Sequence, residues 1–201
     1  MFITLDVEEL NHLHRRLTHD WHRCPKRSQT TWPWVAIEEN HDFNFQLWHE
    51  EDIARSDEIS LERLREAKRN IDRFNQARNN AMEKIDDYIL GKLHENGLST
   101  TGGSLHSETP GMMIDRLSIM TLKEYHMQEQ ASRDDASAEH REKCMARVEV
   151  LQEQQRDLAH ALSVILKELT LGQRRFKVYR QFKMYNDPTL NPHLYERDCP
   201  V

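Results

Sequence analysis

Thr109-Pro110-Gly111-Met112-Met113-Ile114-Asp115-Arg116-Leu117-Ser118-Ile119-Met120-Thr121-Leu122 is the stretch that decides the fold. Threonine is a good N-cap, and proline in the first turn loses nothing, because its missing N–H would be unpaired there anyway. The spacing predicts a helix that begins at Thr109-Pro110. Met112, Met113, Ile114, Leu117, Ile119, Met120 and Leu122 surround its axis instead of forming a stripe. A helix that is apolar all round is a buried one. The expected fold is therefore all-α, a helical bundle with this helix at its centre.

Downstream, Cys144, Val148, Leu151, Gln155, Leu158, Leu162, Ile165 and Leu169 alternate three and four apart within a helix expected from about Ser137 to Leu171. That is a heptad seam with one polar member, Gln155. It fits either a long partner inside the bundle or a homo-oligomer interface through residues 137–171. Gly172 ends this helix, and a sixth, aromatic segment follows (Phe176, Tyr179, Phe182, Tyr185), also expected to be helical. Asn186-Asp187-Pro188 and Asn191-Pro192 mark an irregular tail from about residue 186. Upstream, Leu10, Leu13, Leu17 and Trp21 form a helical stripe within residues 5–22. A second helix is expected from Trp34 to Arg55, and a long third one from Asp57 or Ser60 to about Leu93. Gly97 to Ser107 reads as a flexible loop. No internal repeat and no strand-like alternation stands out.

At 201 residues the chain has the size of one domain, expected over 1–201. Its formal charge of −6 argues against general nucleic-acid binding. Arg174, Arg175, Lys177, Arg180 and Lys183 are a local basic run that reads as a solvated helix face. Cys24, Cys144 and Cys199 show no paired spacing, which suits a reducing compartment. The start, Met1-Phe2-Ile3-Thr4-Leu5, lacks the basic and apolar regions of a signal peptide, and no window approaches 18 apolar residues. The expected location is cytoplasmic, without a membrane span.

The third helix carries the functional signal. Leu64, Ala67, Ile71, Phe74, Ala81, Met82, Ile85 and Ile89 define its buried face, and Arg78 points into the middle of it. An unpaired guanidinium there would cost several kcal/mol, so it must meet an acid or a bound anion. Beside this face run Lys68, Asp72, Asn75, Asn79, Glu83 and Asp86, rich in short Asp and Asn that are poor helix formers. On the second helix His49, Asp52 and, one turn on, Arg55 or Ser56 share one edge, while Asn44, Trp48, Glu51 and Arg55 share another. Asp115, Arg116, Lys123 and His126 interrupt the fourth helix. Two readings compete: an ion-pair and amide network that fixes bundle register, or a polar cavity between helices two, three and four that binds a small anionic ligand. In the second, Arg78, Arg116 and Lys123 neutralise the anion, and His49 or His126 is the acid–base candidate. Glu51, Asp52, Asp72 and Glu83 would orient these groups or hold a divalent ion.

Two further signals bear on metals. Glu83-Lys84-Ile85-Asp86, taken with Glu50-Glu51-Asp52, is similar to the carboxylates that hold Mg²⁺ in all-α nucleotide pyrophosphatases, although the spacing is longer. That makes Glu51, Glu83 and Asp86 a candidate Mg²⁺ set and a Mg²⁺-dependent nucleotide hydrolase an alternative function. His19 and His22 lie at i, i+3 near Cys24, but with no carboxylate pattern beside them they read as surface or packing histidines.

Taken together, three groups of residues carry a family resemblance. They are Trp48-His49-x-Glu51-Asp52-Ile53-x-Arg55; Lys68-Arg69-x-Ile71-Asp72-x-x-Asn75-Gln76-x-Arg78; and Glu108-x-Pro110-x-x-x-Ile114-Asp115-Arg116-Leu117-Ser118-Ile119. Leu122-Lys123-x-Tyr125-His126-Met127 and the closing Lys177-Val178-Tyr179…Lys183-Met184-Tyr185-Asn186-Asp187-Pro188 add to them. From Gln46 to Tyr195 the sequence resembles the bacterial family known as domain of unknown function 4254. The resemblance implies a fold and a set of positions, the ligand candidates Trp48, Glu51, Asp52, Arg55, Lys68, Asp72, Asn75, Gln76, Arg78, Asn79, Asp115, Arg116 and Lys123 among them. It also implies company with glycosyltransferases of cell-envelope polysaccharide synthesis, and hence sugar nucleotides or their phosphorylated products. A non-catalytic adaptor or assembly protein that uses the seam of the fifth helix is the other functional class.

Overall fold

The computed structural model describes residues 5–24, 31–98, 100–182 and 188–191. Four of its five helices start where a side chain can accept the free N–H groups of the first turn. Asp6 Oδ1 accepts from the N–H of Glu8 (2.8 Å) at the head of α1 (Val7–Trp21). Ser60 Oγ accepts from Arg63 (3.2 Å) at the head of α3 (Leu61–Glu95). Thr109 Oγ1 accepts from Met112 (3.2 Å) at the head of α4 (Pro110–Ala131), and Ser137 Oγ from His140 (3.2 Å) at the head of α5 (Ala138–Thr170). Only α2 (Trp34–Ala54) starts without a side-chain cap, behind Pro33.

Cross-helix bonds give the topology. Glu50 reaches Arg63 and Asn70 while Glu39 reaches Lys84, so α2 and α3 run antiparallel. Thr121 meets Gln155 and Glu124 meets Gln152, so α4 and α5 do likewise. The two hairpins and α1 close on one main core. Met113, Ile114, Leu117 and Leu122 of α4 pack there with Ile37 and Phe45 of α2, Ile85, Ile89 and Leu93 of α3, Leu10, Leu13 and Leu17 of α1, and Leu158, Leu162 and Leu166 of α5. Each such side chain contributes about 1.5–3 kcal/mol by leaving water. A smaller cluster of Leu47, Ile71 and Phe74, with Phe43 and Ala54 against it, joins α2 to α3 nearer the turn between them. The central position expected of α4 is what the structure shows.

Gly111 explains how α4 comes so close to α3. A Cβ at that position would lie 2.5 Å from the carbonyl oxygen of Met82 and 2.9 Å from Asp86 Oδ1. Without one, the Gly111 N–H donates to Asp86 Oδ1 at 2.7 Å. This seats the start of α4 directly on α3.

Several expectations need correction. Leu64, assigned to the buried face of α3, is 38% exposed. The seam of α5 is spent within the chain: Cys144, Val148, Gln155, Leu158, Leu162, Ile165 and Leu169 are buried, and Gln155 donates to Thr121 of α4. These seam residues thus pack inside the chain, while Leu151 is only half-buried. No helix forms over residues 176–182. Instead β1 (Ser104–Leu105) pairs in parallel with β2 (Arg174–Arg175), after which the chain runs on without regular structure. Phe176 is buried and Phe182 almost fully exposed, so the aromatic spacing does not describe one helix face. The basic run is not a solvated helix face either: Arg174 Nε pairs with Glu168 (2.8 Å) and Arg180 with Glu83 and Asp87 (2.9 Å each). Lys183, Tyr185, Asn186-Asp187, Pro192, Cys199 and the first four residues lie outside the described residues. The tail expected from about 186 is represented by a turn at 188–190. No helix among the described residues is long and apolar enough to cross a membrane.

Candidate functional site

Asp115 is the hub of the polar interior. It lies on the face of α4 that meets α2 and α3, it is 2% exposed, and four hydrogen bonds converge on its carboxylate. Arg78 of α3 grips it with Nε to Oδ1 (2.8 Å) and Nη2 to Oδ2 (2.5 Å), a two-point ion pair. Asn40 and Asn44, one turn apart on α2, each donate Nδ2 to Oδ1 at 2.9 Å. Burial alone would lower the Arg78 pKa, but the bonds and charge of Asp115 outweigh it and raise it, so the guanidinium stays charged. The network continues through Ser118, one turn after Asp115. Asn44 Nδ2 donates to Ser118 Oγ (3.0 Å), His41 Nδ1 bonds the same oxygen (2.7 Å), and His41 Nε2 bonds Thr18 Oγ1 of α1 (2.9 Å). His14 stacks on His41 with ring centroids 4.6 Å apart, and neither of its ring nitrogens has a partner among the described residues. Burial pushes the His14 pKa down to about 3. Burial, with the adjacent His14, also holds the His41 pKa well below its ordinary value, so both rings are neutral at ordinary pH.

Arg78 is also a wall of a cleft of about 470 Å³ between α2, α3 and α4. Trp48, Glu51, Asp52, Arg55 and Asn75 line the same cleft, with Arg55 paired to Glu51 at 3.0 Å. Trp48 and Asp52 are shared with a second cavity of about 780 Å³, which His126 and Lys123 also line. Lys123 is shared in turn with a third, of about 1020 Å³, that holds Arg116 and its ion-pair partner Glu108. The three hollows form a chain over α4.

Beside the first two lies a cluster of rings. Trp48 stacks on His126 (4.6 Å, 8° between planes), His22 on Tyr125 (4.2 Å), and the edge of His49 meets Phe45 (4.6 Å), His22 (5.3 Å) and His126 (5.8 Å). One ring nitrogen from each of His22, His49 and His126 lies within 4.8 Å of the other two. Burial lowers the His49 pKa, the neighbouring His22 and His126 add to that, and Asp52 and Glu129 oppose it.

The remaining candidates are elsewhere. Lys68 and Asp72 pair with each other along α3 (3.2 Å), and Gln76 donates to Asn80 (2.9 Å); Asn79 is half-buried and lines none of the three hollows. Asp72 is therefore not the partner of Arg78. The structure does not assemble Glu51, Glu83 and Asp86 around one ion: Glu51 faces Arg55, Glu83 faces Arg180, and Asp86 holds Gly111. Among the described residues the group with metal-ligand proximity is instead the three histidines, and His22, read as a surface or packing histidine, does pack within the ring cluster. His19 is exposed beside Asp20. Asn40, His41, His14 and Thr18 were not legible as site neighbours. The signal available was the Asn40-His41-x-x-Asn44 spacing, which puts three polar groups on the buried side of α2.

A model of the family described as "Protein of unknown function (DUF4254)" matches residues 34–178. The chain belongs to that family. The match runs from the first residue of α2 to just beyond β2, so the DUF4254 region contains α2 to α5, the Arg78–Asp115 pair and two of the three clustered histidines. Thr18 and His14 of α1, and His22 directly after it, lie outside it. No curated protein and no solved structure matches the chain.

Proposed function

We propose that this protein binds a small anionic ligand, a sugar phosphate or nucleotide-sugar, in the cleft between α2, α3 and α4. The supporting observation is Arg78. Two of its nitrogens are pinned by a buried aspartate, and the side chain, one quarter exposed, forms part of the cleft wall. A guanidinium held in this way keeps further N–H groups for a phosphate or hydroxyl oxygen and loses little freedom on binding. Trp48 offers the flat apolar surface that a base or a sugar ring stacks on, and Arg55 and Lys123 supply the outer positive charge. The resemblance to companions of envelope-polysaccharide glycosyltransferases points to sugar nucleotides as the first class to try.

The test is a thermal-shift panel of nucleoside diphosphate sugars, sugar phosphates and free nucleotides, each with and without Mg²⁺. A ligand that binds raises Tm, and Arg78→Lys, which keeps the charge but not the fork, weakens the rise. No response to any member of the panel would defeat the reading.

A second reading has its own observation: the network closes on itself from Arg78 through Asp115, Asn44, Ser118 and His41 to Thr18. On that account the protein is a non-catalytic adaptor and the ions fix helix register. Joint replacement of Arg78 and Asp115 by leucine then leaves a folded protein that still serves its cellular role. Loss of that role with the fold intact speaks for the ligand.

A further inference from the structure

The three clustered histidines present their nitrogens as a metal site does. His22 Nδ1 is 2.7 Å from the carbonyl oxygen of Thr18. A carbonyl only accepts, so this nitrogen carries the hydrogen, and in the neutral ring Nε2 carries the lone pair. His126 Nδ1 is 2.7 Å from Glu129 Oε2, which fixes the same tautomer. Both Nε2 atoms are buried and have no hydrogen-bond partner among the described residues. Two oriented lone pairs facing no donor are a deficit that an aromatic packing cluster has no reason to keep. One ring held by a backbone carbonyl and another by a carboxylate, each leaving Nε2 free, is how metal-binding imidazoles are usually held.

From this we infer that His22, His49 and His126 bind a divalent cation of the zinc class. Three neutral imidazoles suit Zn²⁺, Co²⁺, Ni²⁺ or Cu²⁺ and are poor ligands for Mg²⁺. Around a tetrahedral ion with bonds of roughly 2.0–2.1 Å the three nitrogens stand about 3.3 Å apart. In the structure one nitrogen of each ring lies within 4.8 Å of the other two, so binding would draw the rings closer together. His126 also lines the cavity of about 780 Å³ together with Asp52. Water, Asp52 or an oxygen of a ligand in that cavity would supply the fourth ligand, the arrangement of a Lewis-acid centre. The site needs α1, α2 and α4 together, and its existence does not depend on the ligand proposed above.

The experiment uses the metal-stripped full chain. Equilibrium dialysis against Zn²⁺ is expected to show one tight equivalent per chain, and Co²⁺ is expected to give the intense visible bands of four-coordinate cobalt, which Zn²⁺ abolishes. His49→Phe and His126→Phe preserve ring area and are expected to weaken binding by more than the roughly 100-fold seen when only an outer partner is lost. Glu129→Gln is expected to weaken it by about 10-fold, and His19→Ala to leave it unchanged. A readout on the unaltered protein guards against variants that do not fold: long-range ¹H–¹⁵N spectra are expected to show Nε2 of His22 and His126 and one nitrogen of His49 shifting on Zn²⁺ addition. No tight equivalent, binding kept by the His49→Phe/His126→Phe pair, or shifts confined to other histidines overturns the assignment.

Discussion

At the scale of the residue, Arg78 shows how much a single anomaly in a helix can tell. A lone cation among Ala67, Ile71, Phe74, Ala81 and Ile85 demands a counter-charge, and the structure supplies it. Removing one side of a buried pair leaves the other desolvated. Arg78→Leu should lower unfolding free energy by about 3–5 kcal/mol in urea titrations, and Arg78→Leu with Asp115→Leu should lose less than the two single changes summed. A change within experimental error for Arg78→Leu would mean that the pair is solvated. The need for a partner was legible in the sequence, but its identity was not. Helical angles along α3 bring forward Asp72 and Asn79, which share the helix with Arg78. Asp115 is 37 positions away and meets Arg78 only because Gly111 lets α4 settle on α3. His22 was unreadable as a ligand for the same reason: its companions belong to α2 and α4.

Among the elements, the helices with strong caps and single-sided or all-round apolar patterns were read to within a few residues: Ser60, Thr109 and Ser137 are the N-caps that their side chains advertise. α2 was harder in its interior, because it buries Glu38, Asn40, His41 and Asn44 beside Ile37 and Phe45 and so shows no apolar stripe. The segment after Gly172 misled because aromatic spacing imitates a helix where one two-residue strand pair is the actual anchor. The junction of α3 and α4 gives a prediction of its own. Asp86 is displaced from 3.8 to about 7, chiefly by burial, with nearby Asp87 and Glu83 acting in the same sense and its bonds from Thr109 and Gly111 opposing. The folded state therefore keeps a proton that the unfolded chain has released. The stability this group confers is complete below about pH 4 and disappears as pH rises through about 7. Asp86→Asn keeps an oxygen for the Gly111 N–H and removes the titration. Relative to the parent it should be neutral near pH 4 and more stable at pH 8, by on the order of a few kcal/mol. Parallel pH dependences for the two proteins, measured by chemical denaturation, would contradict this.

For the molecule as a whole, we propose that the five helices unfold as one unit, since every helix contributes to the main core. Calorimetry should then show one transition whose calorimetric and van't Hoff enthalpies agree. Residues 173–182 are part of that unit although they form no helix. The Gln173 carbonyl accepts from Ser104 N–H (3.1 Å), Arg175 Nη1 reaches the Gly103 carbonyl (2.9 Å), and Arg180 holds both Glu83 and Asp87 of α3, while the Gln181 N–H donates to Glu83 (2.9 Å). A chain ended at Gly172 should keep its helical circular dichroism, melt at lower temperature, and be cut by protease in the loop before α4 faster than the parent. Equal cleavage rates would show that these contacts hold nothing.

This clasp is synthesised after everything it fastens. On the ribosome all five helices are complete before Arg180 emerges, so the nascent chain passes through a stage in which Glu83 and Asp87 still face water and the loop ahead of α4 has no strand to pair with. The contacts that lock down α3 are therefore among the last that the growing chain can make.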